Sequence, residues 1–135
     1  MVVSWSVGTR ADAERGNTRL DAAIETVAAN SNRSAAHSDR GGHYRWPGWL
    51  SRIAGAKLIR SMSRKACSPE NAACEGFFGR LENELFYSRD WLTTTNGEFV
   101  SALDSYIRRY NEARIKISLG SRSPIKYRRP LGLAA

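Results

Sequence analysis

Met1–Val7 alternates, with Val3, Trp5 and Val7 on one side and Ser4 and Ser6 on the other, which is the period of a strand. Thr9 then offers a helix N-cap, with Asp12 three residues on, and a helix is expected from there to about Ala29. Its apolar stripe is Ala13, Leu20, Ile24 and Val27, interrupted by Gly16 and Asn17. Arg33–Ser38 reads as a second strand, although Ser34-Ala35-Ala36 favours strand only weakly. Pro47 suits the first position of a short helix near Pro47–Ile53, Leu58-Ile59 reads as a short buried strand, and Arg60–Cys67 as a polar, basic loop. Ser68 and Pro69 open a helix whose expected core face is Cys74, Phe77, Phe78, Leu81 and Leu85, with Glu75 on the polar side beside Asn71 and Glu82. Thr95-Asn96-Gly97-Glu98 is a capping box for a helix facing inward through Phe99, Val100, Leu103, Tyr106, Ile107 and Tyr110. Gly120 ends a basic connector, and Ser123-Pro124 begins a last short turn or helix.

The chain has 135 residues, of which 41% are hydrophobic, enough for one domain with a modest core. No apolar run approaches the roughly 18 residues of a membrane span. The short apolar N-terminus has no basic lead-in, so it does not read as a secretory signal. The expected location is therefore cytoplasmic, away from any membrane. Cys67 and Cys74 do not make a disulfide framework. Nor do they form a Cys-x-x-Cys pair that could complete a zinc site with His37 and His43. The net charge is +8, and it is segregated. Seven basic residues and no acidic one lie between Arg40 and Lys65, and eight basic residues stand against Glu112 alone from Ser105 to Ala135. The acids gather at Asp12–Glu25 and Glu70–Glu98. Basic stretches around an acidic centre suit a polyanion held near bound metal ions, or else form a solvated surface.

Asp39 follows the second expected strand, and Glu75 lies on the helix after Pro69, with thirty-five residues between them. A carboxylate at a strand end facing one on a helix offers hard oxygen ligands to a divalent ion. Read alone, Asp39 caps a loop and Glu75 is a solvated helix acid. The neighbouring residues decide between the two. His37-Ser38-Asp39-Arg40-Gly41, followed by Asn71-Ala72-Ala73, Glu75-Gly76-Phe77-Phe78-Gly79, Leu81 and Glu84, resembles the integrase core of bacterial insertion-sequence transposases. Tyr106-Ile107, Tyr110-Asn111 and Arg114, then Ser118-Leu119-Gly120, Ser123-Pro124 and Tyr127, are similar to that family's C-terminal signature. Val2–Gly8 is similar to its second core strand.

This resemblance covers nearly the whole chain. It implies an α/β, RNase H-like integrase core with a mixed sheet flanked by helices and C-terminal helices, whose first strand is missing here. The partial core would span residues 1–113, and 114–135 its basic tail. It implies metal-dependent DNA strand transfer with Mg²⁺ or Mn²⁺, with Asp39 as the second acid of the site and Glu75 as the third. In the family the first catalytic Asp lies on the strand preceding Val2–Gly8, so this chain is expected to lack it and to be inactive alone. Family members carry Lys or Arg seven residues after the last acid, where this chain has Glu82. DNA contacts are expected from Arg40, Arg45, Arg64, Lys65, Arg80, Arg108, Arg109, Arg114 and Lys116. His37 is expected to orient the strand end, and Trp46 and Trp49 to pack. The partners implied are element-end and target DNA, with full-length transposase or a second copy as further candidates. The alternative is a non-catalytic DNA-binding or transposase-interacting chain.

Overall fold

The structure is a computed structural model that describes residues 1–8, 12–28, 35–38, 42–62 and 72–132. The chain divides into two compact units, one of residues 1–2 and 72–130, the other of residues 3–71 and 131–135.

In the second unit, helix α1 (Ala13–Val27) starts later than the sequence implies. Its cap is Asp12, whose side chain accepts from the Glu14 N–H at 3.0 Å. Thr9 lies outside the described residues. Strand β1 (Ala35–Ser38) leads through a 3₁₀ turn (Gly42–Arg45) into helix α2 (Pro47–Gly55), with Pro47 in the first turn as expected, and then into strand β2 (Ile59–Met62). The two strands are parallel, with Ala35 opposite Ile59 and His37 opposite Ser61. This is a strand–helix–strand unit, and α1 packs on α2 through buried Leu20 and Ile53 and the Arg52–Asp21 ion pair at 2.8 Å.

β2 runs on through Arg60 and Ser61, which read as loop, and Ile59 is 46% exposed rather than buried. Ile59 sits on a sheet that has only two strands among the described residues, and a parallel sheet needs cover on both faces to bury it. Met1–Val7 forms no strand. Its alternation is real, but bonds between it and α1 that involve side chains hold it there, not a strand ladder. Ser4 donates to the Arg19 carbonyl at 3.0 Å, Arg19 to the Trp5 carbonyl at 2.9 Å, and Arg15 to the Val7 carbonyl at 2.8 Å.

The first unit is helical. Helix α3 (Ala72–Leu81) continues into one π-helical turn (Glu82–Phe86), closed by Tyr87 N–H donating to the Glu82 carbonyl at 2.7 Å. Helix α4 (Asn96–Glu112) opens on the expected capping box. The Glu98 carboxylate accepts from the Thr95 N–H at 2.8 Å, and Thr95 Oγ1 accepts from the Glu98 N–H at 3.3 Å. Helix α5 (Pro124–Arg128) is capped by Ser123. Gly120 takes the left-handed conformation (φ 62°) that turns the chain between α4 and α5.

Leu103, Tyr106, Ile107 and Tyr110 on α4 are buried with Leu85, Ser123 and Pro124. Val100, expected inside, is 41% exposed. Cys74 and Phe78 are also exposed, correcting their place on the core face. The inward line is instead half-buried Phe77 and Leu81 and buried Leu85, spaced by four, with Glu84 half-buried beside Leu85 in the π turn. Among the described residues no helix is long and apolar enough to cross a membrane.

Candidate metal and nucleic-acid site

Glu75 stands in the first turn of α3 with an exposed side chain. Phe77 anchors that helix against the Tyr110 ring, edge to face at 4.9 Å between centroids. With Phe77 turned to Tyr110 on α4, Glu75, two residues earlier on the helix, falls on the other, solvated side. A carboxylate held open on a rigid helix is a fitting donor for a hard divalent cation. Asp39, one residue beyond the end of β1, lies outside the described residues, as do Arg40, Arg64 and Lys65. Among the described residues no three His, Cys, Asp or Glu side chains cluster closely enough to hold a metal. His37 faces Ser61 across the strands, with Nδ1 2.9 Å from the hydroxyl oxygen, which suits the positioning role expected of it.

The basic residues divide by their surroundings. Arg45 is exposed at the end of the 3₁₀ turn. Arg80 folds back to donate to the Gly76 carbonyl at 2.9 Å. Arg108 pairs with Asp104 at 2.7 Å on the outer face of α4. Lys116 Nζ donates to the Tyr110 hydroxyl at 3.3 Å and lies 5.8 Å from that ring's centroid. Arg109 is exposed on α4. Arg114 is half-buried and engaged, because Nη1 donates to Glu84 Oε2 at 2.5 Å.

Glu84 also accepts from the Tyr106 hydroxyl at 3.1 Å. The Arg114 hydrogen bond, chiefly, holds the Glu84 carboxyl below its ordinary value of 4.5 despite partial burial. Burial, and after it the Glu84 bond, push the Tyr106 phenol up. This three-residue clamp ties the π turn to α4, and so fixes the helix that carries Glu75.

Sequence reasoning included Glu84 in a motif but gave it no role. The available signal was Tyr106 and Arg114 eight residues apart, close to two helical turns, which brings both toward one partner. Asn111 likewise stood in a motif without a role. That carboxamide accepts from the Val2 N–H at 2.9 Å and donates to the Val2 carbonyl at 2.8 Å, taking both polar groups of one residue as a neighbouring strand would.

A family model of the integrase core domain matches residues 75–130, from Glu75 through α5. The chain is 54% identical over 133 residues, 98% of its length, to a Shigella flexneri protein named "probable transposase for insertion sequence element IS1353", of which it spans 26%. It is 32% identical over 127 residues to the InsK protein of insertion sequence element IS150 in Escherichia coli, covering 94% of this chain and 44% of that one. A transposase-like protein of Haemophilus influenzae is 37% identical over 92 residues, 68% of this chain and 42% of the relative. Residues 75–130 thus match the integrase core domain, and nearly the whole chain is similar to part of the transposases of bacterial insertion sequences. The chain spans less than half the length of these relatives.

Proposed function

We propose that this chain is the part of an RNase H-like integrase core that carries the second and third acids of a DNA strand-transfer site. The observation that carries the reading is Glu75, an exposed carboxylate on a helix anchored by Phe77 and Leu85, at the residue where the integrase-core match begins. Asp39 follows directly on β1, at the end of a parallel strand, which is where α/β folds place functional residues. Asp39 and Glu75 would hold Mg²⁺ or Mn²⁺ through hard oxygen atoms. When bound, divalent metal supplies charge stabilisation at the transferring phosphate and lowers the pKa of the attacking hydroxyl. Arg40, Arg45, Arg64, Lys65, Arg80, Arg108, Arg109 and Lys116 supply cations for the phosphate backbone of element-end and target DNA, and Arg114 retains donors beyond those it gives to Glu84.

Two carboxylates position a pair of metal ions poorly, so strand transfer by this chain alone is expected to be weak or absent. Duplex binding is expected to persist and to fall steeply with added salt. The test is a strand-transfer assay with Mn²⁺ on element-end DNA, run beside a salt titration of binding. Strand transfer abolished by Asp39→Asn or Glu75→Gln would make the pair catalytic and the further acid dispensable. Absence of any salt-sensitive DNA binding would refute the reading altogether.

A second reading is favoured by Glu82, which sits exposed one residue past α3, seven after Glu75. An acid on that surface repels phosphate where the family resemblance calls for a cation. The chain would then act without catalysis, as a DNA-binding module or as a partner of full-length transposase. DNA binding without any product, together with co-purification of the longer protein, distinguishes it.

A further inference from the structure

On the C-terminal half of α4 there is an open cavity of about 230 Å³ lined by Tyr106, Arg109, Tyr110, Ala113 and Arg114. Its chemistry is unusually one-sided. Glu84 is the carboxylate bonded to its lining, and a single oxygen of it already accepts from both Tyr106 and Arg114. The Arg109 guanidinium has no hydrogen-bond partner among the described residues, and its charge reaches the Glu84 carboxyl. The Tyr110 hydroxyl accepts from Lys116, so its own proton remains to be donated. Two cations, Arg109 and Arg114, thus act on one acid that already accepts two bonds, and Lys116 adds a third charge at Tyr110, with donors left over. The volume is below the range of about 300–1,000 Å³ usual for drug-sized ligands, so it suits a small group.

We propose that this cavity is a phosphate site, in which the Arg109 guanidinium and the Tyr110 hydroxyl take the oxygens of one phosphate. Arg114 stands behind them as a second charge, held in place by Glu84. The planar fork of Arg109 can offer two parallel N–H groups to one phosphate, which a lysine there could not. On the reading that this chain holds DNA, the occupant is a backbone phosphodiester. It is a discrete contact with geometry, distinct from the general attraction of the basic tail. Free phosphate offers the same oxygens and is separated from DNA by the test.

The test measures binding of a short labelled duplex at low salt, and in parallel the arginine Nε–H resonances of the chain during titration with inorganic phosphate. Arg109→Gln keeps a good helix former at an exposed position and should weaken duplex binding roughly tenfold or more, the scale of a charge-assisted hydrogen bond. Tyr110→Phe removes one hydroxyl and no charge, keeps the ring against Phe77, and should weaken binding about threefold to tenfold. Arg122→Gln, exposed and outside the cavity, should cost only about twofold as a screened surface charge. Backbone amide spectra of each variant report whether α4 is intact. Larger losses for Arg109→Gln and Tyr110→Phe than for Arg122→Gln, with saturable phosphate shifts at Arg109, establish the site. Salt-sensitive duplex binding that treats all three variants alike overturns the site and leaves the DNA reading standing. Phosphate shifts at Arg109 without any duplex binding keep the site and remove the DNA reading. Neither signal removes both.

Discussion

Residues 72–130 are helical, residues 3–71 combine two α-helices with the β1–β2 pair, and the two regions fix their elements by different means. In the first region the chain's own neighbours define each element. Thr95 and Glu98 close the start of α4, Ser123 closes the start of α5, and Glu84, Tyr106 and Arg114 bolt the π turn to α4. Around these, Leu103, Ile107 and Leu85 are within 7% of complete burial. In the second region the described buried apolar residues are Leu20 and Ile53, and the two-stranded parallel sheet leaves Ile59 nearly half exposed. Small two-stranded sheets are marginal without more strands or fuller cover. A helical segment can therefore be complete within a short piece of chain, whereas a sheet takes its stability from strands contributed by distant sequence.

The largest effect expected from this contrast is at Leu103. Leu103→Ala should destabilise residues 72–130 by about 2–5 kcal/mol, the range for emptying a buried leucine site. Amide exchange should then accelerate along α4. Ile53→Ala, at the contact of α1 with α2, should accelerate exchange in α1, α2 and the β1–β2 ladder while leaving α4 protected. If the two variants accelerate the same amides to the same degree, the two regions open as one cooperative unit and the comparison breaks.

Next in size is the Glu84 clamp. Hydrogen bonds to charged groups contribute about 1.5–3 kcal/mol when shielded. The Arg114 and Glu84 side chains are 30% and 31% exposed, which lowers the expectation for Glu84→Gln to about 1–2 kcal/mol. The pH dependence follows from the direction of the shift. The folded-state carboxyl lies below its ordinary 4.5, so the unfolded chain binds the proton more readily. The clamp's contribution is therefore complete above 4.5 and is lost as pH falls through the lower folded value. Urea unfolding of the wild type and of Glu84→Gln at neutral pH and well below 4.5 should show a gap that narrows in acid. A gap that stays constant would mean that Glu84 acts by shape and not by charge.

What the sequence made legible follows the same division. The capping box, the α5 start at Ser123-Pro124 and the buried stripe Leu103, Tyr106, Ile107 and Tyr110 are local patterns, and all are present. The strand–helix–strand order was readable too, α2 and β2 from local signals at Pro47 and Leu58-Ile59, but β1, weak in strand propensity, only from the position expected of Asp39. Met1–Val7 was misread because alternation specifies which way side chains point and says nothing of whether a partner strand is there. Cys74 and Phe78 were misplaced because 3–4 spacing allows a wider apolar stripe than the one covered here, which runs through Phe77 and Leu85. For the site, the polar-side position of Glu75 was readable from the same spacing. The engagement of Arg114 by Glu84 was not, since it joins residues thirty apart in sequence.

The smallest expected effect sharpens the contrast at the level of one turn. Thr95 satisfies the Glu98 N–H, while the Glu98 carboxylate takes both the N–H and the hydroxyl of Thr95, at 2.8 Å and 2.7 Å. Thr95→Ala removes both roles of the hydroxyl, the cap on the Glu98 N–H and the bond to the Glu98 carboxylate, and should cost about 1 kcal/mol. The same bonds hold the Glu98 carboxyl below its ordinary value, Thr95's side chain first and its backbone second. The stabilising effect of the box should accordingly fade as acid protonates Glu98, and in Thr95→Ala that fading should shrink. In the other region α2 begins at Trp46 with no side-chain cap, so Trp46→Ser offers the converse experiment. A serine there should gain a few tenths to about 1 kcal/mol from a new cap, offset by the lost packing of a ring that is 40% exposed. A gain of helix protection in α2 from this change, matched by a loss in α4 from Thr95→Ala, would show that local capping, and not only missing sheet neighbours, separates the stability of the two regions.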